Sequence, residues 1–192
     1  MESPTRKDEI IQFAARMFRE RGFQAISMRD LAAAIHIKAA SLYNHFSGKQ
    51  AILEAIVLPT AQQFTHGMHF IRASTQSPVE QLRAVIQLHI TLTLQNPDAM
   101  ACLNNDWIHL EGEAFLKVSR MRDDYELSFR QIIREGVEQQ QFEAIDEEIV
   151  LYSFLSTLRT LYQWYIRKKP VNQQVMSDSI VQVLMQGIIH KV

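Results

Sequence analysis

The sequence predicts an all-α protein in which a short three-helix domain, containing a helix-turn-helix, precedes a larger helical domain. Two observations lead there. Apolar residues recur at three- and four-residue spacing in nearly every block, the period of a helix with one buried face. The 192 residues hold only 6 Gly and 5 Pro, which fall mostly between those blocks. No alternating strand pattern, low-complexity linker or internal repeat competes with this reading. A hydrophobic content of 47% is enough for a packed core, and 21% charged residues is ordinary for a soluble chain.

The elements follow in order. A first helix is expected over about residues 7–21. There Ile10, Ile11, Ala14, Ala15 and Phe18 form one apolar stripe, Thr5 suits the N-cap and Gly22 ends the run. Ser27 caps a second helix over 28–35, with Asp30 three residues on to favour its N-terminus and Leu31 and Ile35 apolar. His36-Ile37-Lys38 is long enough only for a turn. A third helix of about two turns runs from Ala39 to His45 or Phe46, and Ser47-Gly48 breaks it.

A fourth helix begins near Lys49 and contains Pro59. Proline removes a backbone hydrogen bond and clashes with the preceding turn, so a kink or break is expected there. Further helices are expected over 78–94, 97–107, 113–140, 147–167 and 172–190. Pro78 and Pro97 stand in first turns, Asp146 is an N-cap, and Pro170 separates the last two helices. The domain division is placed at 1–50 and 51–192.

Charge and cysteine content narrow the function. The net charge is −1, but residues 1–50 carry 8 Lys and Arg against 5 Asp and Glu, while the rest carry 12 against 16. The basic excess therefore sits on the first three helices, where it favours phosphate. A single cysteine, Cys102, excludes an intramolecular disulfide and a cysteine-rich zinc site. The polar start MESPTRKDE lacks a signal-peptide core, and no apolar run approaches the roughly 18 residues of a membrane span. A cytoplasmic chain without a membrane partner is expected.

The segment SLYNHFSGKQAIL (41–53) sets two aromatics, an amide and an imidazole on one short helix. Two short helices joined by a three-residue turn on a basic N-terminal third form a helix-turn-helix, whose second helix enters the DNA major groove. Leu42 and Phe46, four apart, can face the core together. Lys38, Ala39, Ala40, Ser41, Tyr43, Asn44 and His45 are then left for outward faces. Small residues allow close approach to a duplex. The hydroxyls of Ser41 and Tyr43 suit phosphate oxygens, His45 suits the DNA backbone, and Asn44 suits a base or a phosphate. Arg29 and Lys49 add cations in the first turns of their helices.

These residues resemble the TetR family of bacterial repressors. The resemblance covers about residues 8–55 and rests on Leu31-Ala32, Ile37, Ser41-Leu42-Tyr43, His45-Phe46, Lys49 and Ile52-Leu53. It implies a homodimer that binds a double-stranded DNA operator through its N-terminal domain. It also implies an effector-binding and dimerisation domain that takes a small molecule and lowers DNA affinity. Three positions depart from the family pattern: His36 replaces the turn glycine, Lys38 the helix-capping Ser or Thr, and Ala40 a glycine. His adopts left-handed geometry less easily than Gly, so a strained or reshaped turn is expected.

In the remaining two-thirds, Trp107, Tyr125, Phe129, Leu155, Arg159 and Tyr162 are the candidate ligand-binding residues. A ligand cavity needs apolar walls and a few polar groups. Arg159 interrupts the otherwise apolar run FLSTLRTLYQWY and must find a partner, an anionic ligand or solvent; Asp106, Glu126 and a neighbouring subunit are the possible partners. Trp107 and Leu110, the run from Arg122 to Gly136, Phe142, Trp164-Tyr165 and Gly187 resemble a TetR subgroup. Several members of that subgroup respond to acyl-CoA thioesters, which implies an acyl-type or small hydrophobic effector.

The last two helices carry apolar faces (Ile149, Leu151, Leu155, Leu158, Leu161; Ile180, Val183, Leu184, Ile188) that in the family pack against their twins. Pro59, on the helix linking the domains, is a candidate lever or a packing kink.

Two rival readings remain. Asp106, His109 and Glu111 could serve a small acyl-processing enzyme, but no nucleophile accompanies them. A dimeric scaffold without operator binding has its support in the departures at His36 and Lys38. His66 and His69 have workable metal spacing but no third ligand, so no metal and no cofactor are expected.

Overall fold

The structure, a computed structural model, describes residues 5–168 and 172–189. Among these residues the chain is helical throughout, with one isolated antiparallel bridge pairing Phe142 with Ile189. The expected separator Pro170 and the expected helix end at His190 lie outside the described residues. No helix among the described residues is long and apolar enough to cross a membrane.

The α-helices are α1 (Arg6–Arg21), α2 (Met28–Ala34), α3 (Ala39–Tyr43), α4 (Lys49–Ala73), α5 (Pro78–Gln95), α6 (Pro97–Ala101), α7 (Gly112–Glu138), α8 (Glu147–Arg167) and α9 (Gln173–Gln186). Their starts are written in side chains. Thr5 with Asp8, Ser27 with Asp30 and Ser77 with Glu80 each form a reciprocal capping box that satisfies backbone donors at the N-termini of α1, α2 and α5. Asp146 caps α8 through the N–H groups of Glu148 and Ile149. Gly22 ends α1 at φ 80°, a conformation side chains resist, and its N–H donates to the Phe18 carbonyl at 2.7 Å.

Two expectations give way. The first is the break at Pro59, the alternative to a kink there: α4 runs as one continuous helix of 25 residues through it. The turns on either side are intact, and Thr60 Oγ1 adds a bond to the Ile56 carbonyl at 2.8 Å beside the gap. The second is the single helix over 97–107. The α-helix stops at Ala101, widens into a π-helical turn over Cys102–Asp106 and tightens into a 3-10 turn over Trp107–His109. The extra residue of the π turn accompanies a buried Asp106 whose Oδ1 accepts from the Phe23 N–H at 3.3 Å.

The chain packs as two compact units. One holds the chain up to Ala61 together with Asp98–Ser119; the other holds Gln62–Pro97 and the chain from Arg120 onward. Packing thus groups the chain differently from the division at residue 50. The first unit takes in more of α4, and also α6, the two irregular turns and the start of α7. Its core is built from Ile10, Ala14, Phe18, Phe23, Leu31, Leu42, Phe46, Ile52 and Leu53. Arg19 joins α1 to Asp98 at 2.5 Å.

The second unit buries Leu82, Val85, Ile86, Ile90, Phe129, Ile132, Phe154 and Leu158. Arg72 clasps Glu135 through both guanidinium nitrogens, at 2.8 and 2.6 Å. Gly136 is required by contact: a Cβ there would stand 2.0 Å from the Phe142 ring.

Candidate nucleic-acid interface and candidate ligand site

Helix α3 sorts its side chains as the pattern predicts. Leu42 is fully buried and Phe46 nearly so, which anchors the helix to the first unit's core. Lys38, Ala40, Ser41, Tyr43, Asn44 and His45 are exposed and Ala39 is half-buried; Tyr43 keeps 54% of its surface. The α-helix proper ends at Tyr43, but the N–H groups of His45 and Phe46 both donate to the Leu42 carbonyl at 3.1 Å. The helical turn therefore continues through the expected segment. Lys38 provides no side-chain cap, as its chemistry dictates. His36 takes φ 56°, so the turn keeps the left-handed geometry that glycine serves in the family pattern.

Arg29 is exposed in the first turn of α2. Lys7, which sequence reasoning passed over, lies with its Nζ 5.3 Å above the Phe46 ring, and Lys7, His45, Phe46, Ser47 and Glu54 help line a hollow of about 370 Å³. A first-turn lysine one position after Arg6 was the available signal.

Lys49 departs from its expected role. Its ammonium does not stand out from the surface. Nζ donates to the Phe23 carbonyl at 2.8 Å and to the Gln24 carbonyl at 3.4 Å, and lies 4.2 Å from the Phe23 ring centroid. Partial burial pushes its pKa below the ordinary lysine value. The residue ties the α1–α2 loop to the start of α4.

The same loop is tied from a second side. His109 stacks on Phe23 with ring centroids 5.8 Å apart, and Gln24 meets His109 Nδ1 at 3.3 Å. Gln50 donates to the His109 carbonyl at 2.8 Å and to Glu111 at 3.0 Å. Asp106, His109 and Glu111 are therefore engaged in joining segments of one unit. Burial pushes the Asp106 carboxyl up, against the Phe23 N–H and nearby His109 that pull it down. Burial and the neighbouring carboxylates of Asp106 and Asp98 push the Cys102 thiol up, the opposite of what a nucleophile needs.

The six candidate ligand residues are divided between the two units. Trp107 belongs to the first unit, where its indole stacks on Phe115 at 5.7 Å and 4°. The other five lie in the second unit. Phe129 is fully buried and meets Phe154 edge-on, so it is a wall of the core. Leu155 and Arg159 line an open hollow of about 450 Å³ with Glu126, Arg130, Glu148 and Tyr152. Arg159 pairs with Glu126 at 2.7 Å, one of the partners the sequence allowed. Tyr162 is buried, with its hydroxyl accepting from Gln163 at 3.1 Å.

Tyr125 leads to the feature sequence reasoning missed. Its hydroxyl meets His89 Nε2 at 3.0 Å in the interior of the second unit, with the Phe64 ring 4.6 Å from the imidazole. Burial, then the charge of Arg159, lowers the His89 pKa to about 3, so the ring is neutral. Arg122 is also desolvated, and burial followed by the neighbouring Arg159 charge lowers its pKa to about 10. The signal was present in the run IQLHITLTLQ, where His89 and Thr93 occupy the apolar face of α5 that Leu82, Val85 and Ile86 begin. Among the described residues no group of three His, Cys, Asp or Glu is placed to hold a metal.

Comparison with known proteins sets this geometry in context. Residues 10–56 match the family model described as "Bacterial regulatory proteins, tetR family", and residues 75–188 match "Tetracyclin repressor-like, C-terminal domain". The transcriptional repressor KstR2 of Mycobacterium tuberculosis is 22% identical over 186 residues, 96% of this chain and 93% of that one. A solved structure of that ketosteroid transcriptional regulator matches with a TM-score of 0.90 over 99% of this chain and 98% of the other. AibR, solved with isovaleryl coenzyme A and operator DNA, is 23% identical with a TM-score of 0.78, covering 94% of this chain and 98% of that one. The nucleoid occlusion factor SlmA of Idiomarina loihiensis is 29% identical over 153 residues, 78% of this chain and 77% of that protein.

Proposed function

For a chain that belongs to the TetR family of bacterial DNA-binding transcriptional regulators, we propose the role of a cytoplasmic homodimeric repressor that an acyl-CoA-type ligand releases from its operator. The carrying observation is α3 together with the turn that follows it, a segment that buries Leu42 and Phe46 while Ser41, Tyr43, Asn44 and His45 stand in solvent. Ser41, Tyr43 and His45 contact phosphates, Asn44 reads a base edge or a phosphate, and the small Ala39 and Ala40 let the helix approach. Arg29 and Lys38 add cationic contacts, and Lys49 acts by positioning. Members of this family act by binding DNA, which fits the structural engagement of Asp106, His109 and Glu111.

One α3 reads few bases, so a pair of them is needed. The outward faces of α8 and α9 support a twofold pairing: Ile149, Tyr152, Trp164, Val175 and Val183 are all at least 45% exposed. Ser153, Ser156, Thr157 and Thr160 form a strip of small residues on the outward side of α8, which suits close helix approach. The buried Leu151, Leu155, Leu158 and Leu161 of the expected face instead close the unit's own core.

The acyl-CoA class comes from the likeness to AibR and from the mixed character of the second unit, which holds desolvated Arg122 and His89 and sets Arg159 in the hollow beside Leu151 and Leu155. Helices α4 and α7 run from one unit into the other along the chain, so a ligand favouring one arrangement of the second unit biases the first.

The test is a mobility-shift assay on the DNA upstream of the protein's own gene, with isovaleryl-CoA as the first ligand probe. Sequence-specific retardation, reversed by the thioester, is expected. No specific retardation at moderate salt overturns the operator reading; retardation unaffected by a panel of acyl-CoAs overturns the ligand class. Tyr43→Phe removes one hydroxyl without altering packing and should weaken specific and non-specific binding alike, by about 1 kcal/mol.

A further inference from the structure

Among the described residues, two buried side-chain polar atoms inside the second unit have no hydrogen-bond partner: His89 Nδ1 and Thr93 Oγ1. They lie four residues apart on one face of α5, on side chains 3% and 0% exposed. Buried polar atoms are almost always paired, because leaving one unpaired forfeits its hydration without return. Two such atoms on adjacent turns mark a place built for something else to bond.

Their chemistry specifies what. Tyr125 Oη stands 3.0 Å from His89 Nε2. A buried phenol is a donor in want of an acceptor, and Nε2 is the acceptor at hand. That bond leaves the imidazole proton on Nδ1, so the orphaned ring nitrogen is a donor. Thr93 differs from three other helical threonines. Thr60, Thr157 and Thr160 each turn the hydroxyl back onto the carbonyl four residues earlier, at 2.8, 3.1 and 2.8 Å. The Thr93 hydroxyl makes no such bond, so it too is a donor held away from the backbone. The surroundings are apolar and aromatic, with Phe64 against the imidazole and edge-on to Tyr125. The nearby positive charge of Arg159, which acts on both His89 and Tyr125, favours an electronegative atom there and disfavours a cation.

We propose that His89 Nδ1 and Thr93 Oγ1 form a two-donor anchor for a carbonyl oxygen carried on the apolar body of the effector. A carbonyl oxygen has two lone pairs and accepts both donors without bringing an unpaired proton or a net charge into the core. The inference rests on the reading that the second unit binds an acyl-type ligand, and it narrows that class: donors this enclosed, 3% and 0% exposed, suit an oxo group within the apolar chain rather than the thioester carbonyl joined to the charged coenzyme.

The experiment compares octanoyl-CoA with oxo-octanoyl-CoAs whose ketone is stepped along the chain, with affinities measured by calorimetry. At one ketone position the wild-type protein is expected to bind about tenfold more tightly than it binds the plain chain, the worth of one or two buried hydrogen bonds. Thr93→Val, which keeps shape and removes the hydroxyl, should bring that ratio to within about twofold, and Thr93→Ser should restore it. Melting curves of both variants verify that each is folded. No gain at any ketone position, or a gain that survives Thr93→Val, overturns the anchor while leaving the acyl-CoA reading in place. A crystal structure of the complex in which an ordered water bridges the two atoms also overturns it. If no acyl-CoA binds the wild type, the acyl-CoA reading falls by itself. The anchor is then judged with 2-, 3- and 4-octanone against octane, followed through the His89 ring-nitrogen resonances; no ketone-specific shift overturns it.

Discussion

Helices α3 and α5 both carry polar residues in a largely apolar context, and they dispose of them in opposite ways. α3 is five residues long and buries Leu42 alone, so its hydroxyls, with the amide of Asn44 and the imidazole of His45 just after it, stand in water. α5 is 18 residues long and is buried along most of one face, and it takes His89 and Thr93 inside with it. Polar groups on a short exposed helix cost nothing to leave unpaired and wait for a partner as large as a duplex. Polar groups within a core cost free energy until something small enough to be enclosed satisfies them. The two proposed sites, one for a duplex and one for a small effector, rest on that contrast.

The strongest break in that contrast comes from removing what holds α3 in place. Leu42→Ala should cost about 3 kcal/mol, because it empties a fully buried site. Urea unfolding should register the loss, and specific and non-specific DNA binding should fall together. A variant that keeps wild-type stability would mean that α3 is not anchored through Leu42.

The α5 side can be sharpened by pH. His89 is neutral in the fold because burial and Arg159 lower its pKa to about 3, whereas in the unfolded chain it takes a proton near its ordinary value. Below about pH 6.5 the unfolded state therefore binds one more proton than the native state. Stability should fall as pH falls, by up to about 1.4 kcal/mol per unit from this group, and the decline should flatten near its native pKa. His89→Leu should remove that component of the slope in urea titrations between pH 6.5 and 5. An unchanged slope would mean that His89 ionises freely in the native protein.

Lys49 separates contact from positioning. If it touched phosphate, its loss would reduce the slope of log K against log salt by about 0.9. With Nζ turned onto the Phe23 and Gln24 carbonyls, Lys49→Met should leave the slope unchanged and lower the melting temperature instead. The smallest effect belongs to the turn between α2 and α3. His36 at φ 56° is in a region glycine enters without strain, so His36→Gly should gain less than about 1 kcal/mol, part of it offset by the freer unfolded chain.

Much of the fold was legible because its signals are local. Thr5, Ser27 and Asp146 are caps by virtue of side chains that reach backbone groups two or three residues away. Periodicity located α1 to α3, and the resemblance carried by Tyr43, His45 and Phe46 implied which of them is the proposed reading helix. The failures share a different character. The break expected at Pro59 and the plain helix expected over 97–107 were both judged from local rules; α4 continues through Pro59, and the second is interrupted where Asp106 meets the distant Phe23. Lys49 looked like a surface cation because its partners, Phe23 and Gln24, are more than 20 residues away. His89 went unnoticed because its meaning depends on Tyr125, 36 positions further on.

The sequence by itself determined the helices, their caps, the outward face of α3 and the family to which the chain belongs, since each depends on interactions within about one helical turn. The tertiary structure alone decided which polar groups are already satisfied and which still want a partner. Hydrogen bonding is a contest among every group within 3 Å, and only the folded chain brings the competitors together.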